Sequence, residues 1–155
     1  MLTRRATTGD LDALVALWRE MWDFNADLDP RMAAGPLANI VQRSWLSGHI
    51  EGERSLVLVA QEGRDLAGYA LATILENPPI VAHQFYGYVS EMAVRASKRR
   101  SGVGTLLLDG LHAWFRTKGL PYAEVTAGVR NQVSRNFWRR QGYSEFVERL
   151  RLDFQ

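Results

Sequence analysis

A chain of 155 residues without a single cysteine has no disulfide, no thiolate metal site and no thiol nucleophile, which excludes any staple or covalent route through sulfur. Its formal net charge of +2 is too small for a protein held to nucleic acid by overall field, and hydrophobic and charged fractions of 46% and 23% describe one globular domain over residues 1–155 with no linker or repeat. The longest pure apolar run, LVLVA at 56–60, is too short to span a bilayer, and MLTRRATTGDL has charges with no apolar stretch behind them, so a cytoplasmic protein is expected.

In chain order, LTRRA reads as a short first strand. Asp10 follows as the N-cap of a helix whose apolar positions Leu11, Leu14, Val15, Trp18, Met21 and Trp22 keep the helical period. Turn residues Asp27, Asp29, Pro30, Gly35 and Pro36 separate it from a weaker helix around 37–45. RSLVLVAQ has the continuous apolar, β-branched character of a central strand, and EGRD turns it into an antiparallel hairpin with DLAGYALATILE. ENPPI breaks the chain. HQFYGYVSEMAV is then a long strand, with Tyr86, Tyr88, Ser90, Met92 and Val94 on one face and Glu91 and Ala93 on the other.

From Gly102 the period becomes helical, with Val103, Leu106, Leu107, Leu111, Trp114 and Phe115 on one face until Gly119 and Pro121 stop it. YAEVTA reads as a strand and NQVSRNFWRRQ as a short helix after Asn131. SEFVERLRLDF, alternating at Phe146, Leu150, Leu152 and Phe154, reads as a final strand. The order βααβββαβαβ is a mixed α/β class.

The chemistry gathers at VRASKRRSGVGTLLL. Arg95, Lys98, Arg99 and Arg100 crowd against Gly102 and Gly104 at the entrance to an apolar helix. Amide N–H groups at such an entrance lack partners and sit at the positive end of the helix dipole, and glycine lets an anion approach them. That composition asks for a phosphate. The P-loop pattern G-x-x-x-x-G-K-[ST] is absent, and the dinucleotide fingerprint fails because Leu107 stands where its third glycine belongs.

What remains is R-x-x-G-x-G at Arg99, Gly102 and Gly104, preceded by SEMAV and followed by YAEVTA and N..S..FWRRQGY. Over roughly residues 84–148 this resembles the GNAT superfamily of acyl-CoA-dependent N-acyltransferases. The resemblance implies the GNAT fold: a mostly antiparallel sheet of six to seven strands, splayed between the fourth and fifth, with about four helices. It implies acetyl-CoA as co-substrate, with no metal, in the gap between the SEMAV and YAEVTA strands. Met92, Ala93 and Val94 would follow the pantetheine arm, and Arg99, Arg100, Ser101, Gly102, Val103, Gly104 and Thr105 would hold the pyrophosphate. Asn131, Ser134 and Phe137 would line the other side. Each has a plainer reading: Met92 and Val94 as core, Asn131 as a helix cap.

Transfer to an amine requires a neutral nucleophile, since a lysine-like amine with pKa of about 10.4 is protonated at neutral pH. Glu91 is the acid on the strand beside the acyl group; it is read as the base, as an anchor for a cationic amine, or as a solvated strand residue. The Val94 N–H would meet the oxyanion. Many members carry a tyrosine where this chain has Trp138, whose indole is no acid, so the thiolate leaves unaided or a hydroxyl such as Tyr143 or Tyr88 substitutes. Asp23, Asp27, Asp29, Trp22, Phe24, Tyr86 and Tyr88 suggest a pocket for a cation with an apolar body, or else a solvated helix edge and ordinary core aromatics. The expected partner is a small-molecule or protein amine, with neither nucleic acid nor membrane, and a homodimer is admitted by the resemblance. A catalytically silent acyl-CoA sensor and a nucleic-acid module built on residues 95–100 are the competing readings.

Overall fold

The computed structural model describes all residues 1–155. Five strands, β1 (Leu2–Arg5), β2 (Ser55–Glu62), β3 (Asp65–Glu76), β4 (Phe85–Val94) and β5 (Ala123–Val125), form one sheet in sequence order. The first three junctions are antiparallel and β4–β5 is parallel. Helices α1 (Leu11–Leu28) and α2 (Ala38–Glu51) cover one face, and α3 (Val103–Thr117) and α4 (Gln132–Arg140) the other.

Each face has its own core. Leu14, Leu17, Trp18 and Leu46 meet Val57, Val59, Tyr69 and Leu71 under α1 and α2. Val103, Leu107, Leu108, Leu111 and Phe115 meet Leu56, Leu58, Ala70 and Val89 under α3. Fully burying one such aliphatic chain stabilises the fold by about 1.5–3 kcal/mol. The face expected of α3 shifts slightly: Leu108 is buried and Leu106 exposed, because the helix rests on β2 and β3 across a broad stripe. Helix α2 runs past residue 45 to Glu51.

Asp10 does not cap α1. Its backbone is already helical, and its carboxylate instead accepts from the Thr7 amide at 2.8 Å and from Arg4 at 2.8 Å and 2.9 Å, closing a capping box on the 3-10 turn before the helix.

Strand β4 departs from simple alternation. Leu71 pairs with Glu91 but Ala72 with Val89, so Ser90 bulges out of the ladder. Beyond the bulge Met92 and Val94 pack on the α3 side and Ala93 on the α1 side. Before it the phase is reversed: Val89 is in the α3 core, and a Cβ on Gly87 would strike the Phe115 ring at 2.7 Å. Tyr86 and Tyr88 therefore share a face with Glu91 and Ala93, not with Met92 and Val94.

The sixth strand is missing. Residues 144–155 form no helix or strand, and all are exposed. Alternation supplies a strand's side chains but no ladder partner, and none of these residues makes a backbone hydrogen bond within the chain.

Candidate active site

Strands β4 and β5 pair only at Gly87–Ala123, Tyr88–Glu124 and Val89–Val125, and then diverge. From Ser90 onward the β4 edge toward β5 is open, and a large cleft runs along it between the two helix layers. Arg95 donates its amide to Ala67 on β3 at 2.8 Å. Antiparallel hydrogen bonding alternates along the strand, so the backbone groups of Val94 and Met92 point away from β3, into the opening. The Arg99 guanidinium approaches the Val94 carbonyl from that side at 3.4 Å.

At one end of the cleft the chain enters α3. None of the amides of residues 100–105 donates to a backbone acceptor. Six consecutive N–H groups are thus presented together at the positive end of a helix. Gly102 makes the entrance possible with φ 87, and its Cβ position faces open space. Gly104 serves packing: a Cβ there would lie 3.2 Å from the Phe137 ring and 3.7 Å from the Met92 sulfur. Arg100 is held at φ 61, a left-handed conformation that an L-residue adopts only at some cost.

The neighbouring cations are partly engaged. Lys98 pairs with Glu62, and Arg99 sits 5.0 Å over the Phe24 ring and 3.8 Å from Glu20. Lys98, Arg99 and Arg100 border the cleft, whereas Arg95 lies outside it beside Ala13 and Leu17. The nearby Ser101 hydroxyl turns away to the Lys98 carbonyl.

On the α1–α2 side, Glu91 lies where the bulge turns it. Gln42 donates to its two oxygens at 2.9 Å and 2.7 Å, and the Tyr69 hydroxyl donates at 2.6 Å. Burial, and then the Glu91 charge, push the Tyr69 phenol up, so it remains a donor. A carboxylate has about four acceptor positions, which leaves one for a further donor from the cleft. His49 lines the same wall, edge-on to Trp45 at a centroid distance of 4.2 Å. Burial lowers its proton affinity while Glu91 opposes the shift.

Gln42, Tyr69 and His49 were not singled out from sequence. Gln42 and Tyr69 stand 49 and 22 positions from Glu91, and only the crossing of α2 over the sheet brings them together. A polar glutamine among apolar helix positions was the one available signal.

The far wall is α4. Asn131 caps it, its side chain accepting from the Ser134 amide at 3.0 Å, and also donates to Asn25 at 2.8 Å, tying α4 to α1. Ser134 accepts from the Trp138 indole at 3.1 Å. Trp138 is buried and Phe137 half-buried at the Gly104 contact. Tyr143 bonds His112 at 2.8 Å, and burial lifts its phenol to about 12. Tyr88 bonds Thr126 at 2.7 Å.

Of the two readings of the acids around α1, the solvated helix edge holds and an acidic acceptor pocket does not form. Asp23 pairs with Arg19 and Asp27 is exposed outside the cleft. Asp29 is spent on Arg31 and Arg130, and the Arg31 hydrogen bond holds its carboxyl down at about 2. Tyr86 stacks on Tyr122, which borders the cleft, and does not itself line it. Trp22, Phe24 and Tyr88 do border it.

Known structures share this fold. A mutant of the BH1408 protein from Bacillus halodurans superposes with TM-score 0.89 at 18% identity, covering 100% of both chains. The aminoglycoside antibiotic 6'-N-acetyltransferase AAC(6')-IG from Acinetobacter haemolyticus gives 0.79 at 17%, over 100% of this chain and 99% of its own. A predicted acetyltransferase of Clostridium acetobutylicum, solved with acetyl-CoA, gives 0.79 at 17%, over 98% and 95%. No curated protein matches. At these identities the likeness concerns the fold. The sequence itself matches the acetyltransferase (GNAT) family over residues 12–143, and on that match the chain belongs to the GNAT acetyltransferases.

Proposed function

We propose that this protein transfers an acetyl group from acetyl-CoA to a primary amine by direct attack. The observation that carries the reading is one cleft with six unpartnered amides at residues 100–105 at one end and the Glu91 carboxylate at the other. The amides and Arg100 hold the pyrophosphate, and the open backbone of Met92 and Val94 pairs with the pantetheine arm. Ala93 and Arg99 lie along that path, while Ser101, Gly102, Val103, Gly104 and Thr105 shape the phosphate turn. Asn131, Ser134 and Phe137 form the facing wall.

Glu91 receives the ammonium form of the acceptor, and its carboxylate takes the proton that must leave before attack. Gln42 and Tyr69 aim it. Val94 offers its N–H to the oxygen that becomes negative. Nothing here supplies a strong acid for sulfur: Trp138 is committed to Ser134, and Tyr143 to His112. The thiolate leaves unaided, as a thiol with pKa of about 8.5 can. Exposed Ile40, Val41 and Trp45 border the acceptor end, which favours an amine with an apolar body. Aminoglycosides enter the substrate panel because a structural relative is named for them.

Free-thiol release with acetyl-CoA against small amines, aminoglycosides and lysine peptides tests the reading. Glu91→Gln is expected to lower turnover about 100-fold with acetyl-CoA affinity unchanged, and Gly102→Glu to abolish that affinity in calorimetry. Undiminished cofactor binding by the glycine variant would refute the phosphate assignment. Stabilisation by acetyl-CoA with no turnover on any amine would leave a sensor rather than an enzyme.

A further inference from the structure

The acids that border the cleft divide into those already satisfied and those that are not. Asp29 and Glu145 are neutralised by arginines, and Glu53 and Glu148 stand exposed to water. Glu91 and Glu124 remain. Both are half-buried, and neither enters an ion pair with any cation of the chain. A carboxylate drawn partly out of water is stabilised by a counter-charge, and at Glu124 the chain provides none.

The two carboxylates belong to one compartment. Tyr88 pairs with Glu124 in the parallel ladder and with Thr73 in the antiparallel one, and Leu71 pairs with Glu91, so Glu124, Tyr88, Thr73 and Glu91 all project from the α1–α2 side of the sheet. The Tyr86 phenol on that side agrees: after burial, the Glu124 charge is the next cause that raises it. Thr73 and Leu71 are two positions apart on β3, and Glu124 lies one strand beyond Tyr88, so the Glu91 and Glu124 backbones stand about 8 Å apart.

What lies between them is uncharged. Ser90 and Thr73 share a hydroxyl hydrogen bond at 2.8 Å, and the Tyr88 hydroxyl meets Thr126 at 2.7 Å. Trp45 and His49 border the same cleft from α2. Arg54, which also borders it, is turned over the Phe85 ring at 5.1 Å.

Resting on Glu91 as the anchor of the reacting amine, we propose that Glu124 holds a second cation of the same acceptor, which makes the substrates linear diamines with about four to six methylenes between their nitrogens. One ammonium meets Glu91 and is the one acetylated. The other meets Glu124, and the methylenes lie along the Tyr88 ring and the α2 side chains. A monoamine leaves Glu124 without a counter-charge, and a lysine within a polypeptide presents it with neutral backbone amides. Glu124 thereby sets which amines are accepted, while Glu91 serves the chemistry.

Hexamethylenediamine and hexylamine test this as a matched pair, equal in length and different by one charge. In free-thiol release, kcat/KM should favour the diamine about tenfold, the effect of one charge-assisted hydrogen bond. In Glu124→Gln that ratio should fall to about one. Glu124→Lys should turn the preference toward aminocaproate, whose far end is a carboxylate, a gain that a damaged fold cannot imitate. Calorimetry of the same three ligands with the coenzyme A-loaded protein reads this selectivity without turnover. A chain that binds the diamine through Glu124 but acetylates nothing therefore upholds the Glu124 assignment and counts against the enzymatic reading alone. Equal binding of diamine and monoamine by the wild type, or a diamine preference that survives Glu124→Gln, would overturn the proposal.

Discussion

Glu91 owes its posture to two residues that hold no substrate. Tyr69 is fully buried on β3 and Gln42 is buried on α2, and their donors fix the carboxylate from below while its upper side meets the cleft. Losing one charge-assisted hydrogen bond costs about 1.5–3 kcal/mol. Tyr69→Phe is therefore expected to reduce kcat about tenfold or more while leaving KM for acetyl-CoA unchanged. Tyr143→Phe, measured alongside it, should stay within about twofold of wild type, because the proposed route asks no proton of that phenol; a loss as large as that of Tyr69→Phe would make Tyr143 the acid. Glu91 was readable from its place in SEMAV. Its supports were not, since neither lies within hydrogen-bonding distance along the sequence, and the bulge at Ser90 that aims it leaves no mark in an alternating strand. The glycine turn before α3, by contrast, is local: its glycines, cations and helix entrance are contiguous, and sequence was enough to locate them.

At the level of elements, the helices were legible because each buries one stripe, whereas strands depended on partners that the pattern does not name. β5 shrinks to three residues because the sheet splays at Val89 and Val125, and the arm after α4 finds no neighbour in its own chain. Helix α4, only nine residues long, depends on its start. Asn131 supplies the cap and the bridge to Asn25 together, so Asn131→Ala is expected to destabilise the fold by about 1–2 kcal/mol, read as a lower urea midpoint at constant m-value. Asn131→Asp, which retains the cap acceptor but loses the donor to Asn25, should recover part of that loss; no recovery would assign the effect to the bridge alone.

For the whole molecule, acid should act through two half-buried imidazoles. Burial is the leading cause that lowers His49 and His112 below their ordinary 6.5. The unfolded chain therefore takes up these protons first as pH falls. Their contribution to stability is complete above pH 6.5 and drains away as pH drops toward the lowered folded values, well before Asp29, at about 2, begins to titrate. Melting temperature should decline between about pH 7 and pH 5, and His49→Gln with His112→Gln should flatten that decline; an equally steep curve in the double variant would place the acid sensitivity elsewhere. The two-core plan has a wider effect. Under the proposed function, carrier recognition would rest on main-chain atoms and on α3 and α4, while the acceptor end would be walled by side chains of α1 and α2 packed on the opposite side of the sheet. On that reading, mutational drift would retailor which amines are accepted while the grip on the thioester carrier stays intact, making this scaffold a ready starting point for laboratory selection of new acceptor scope.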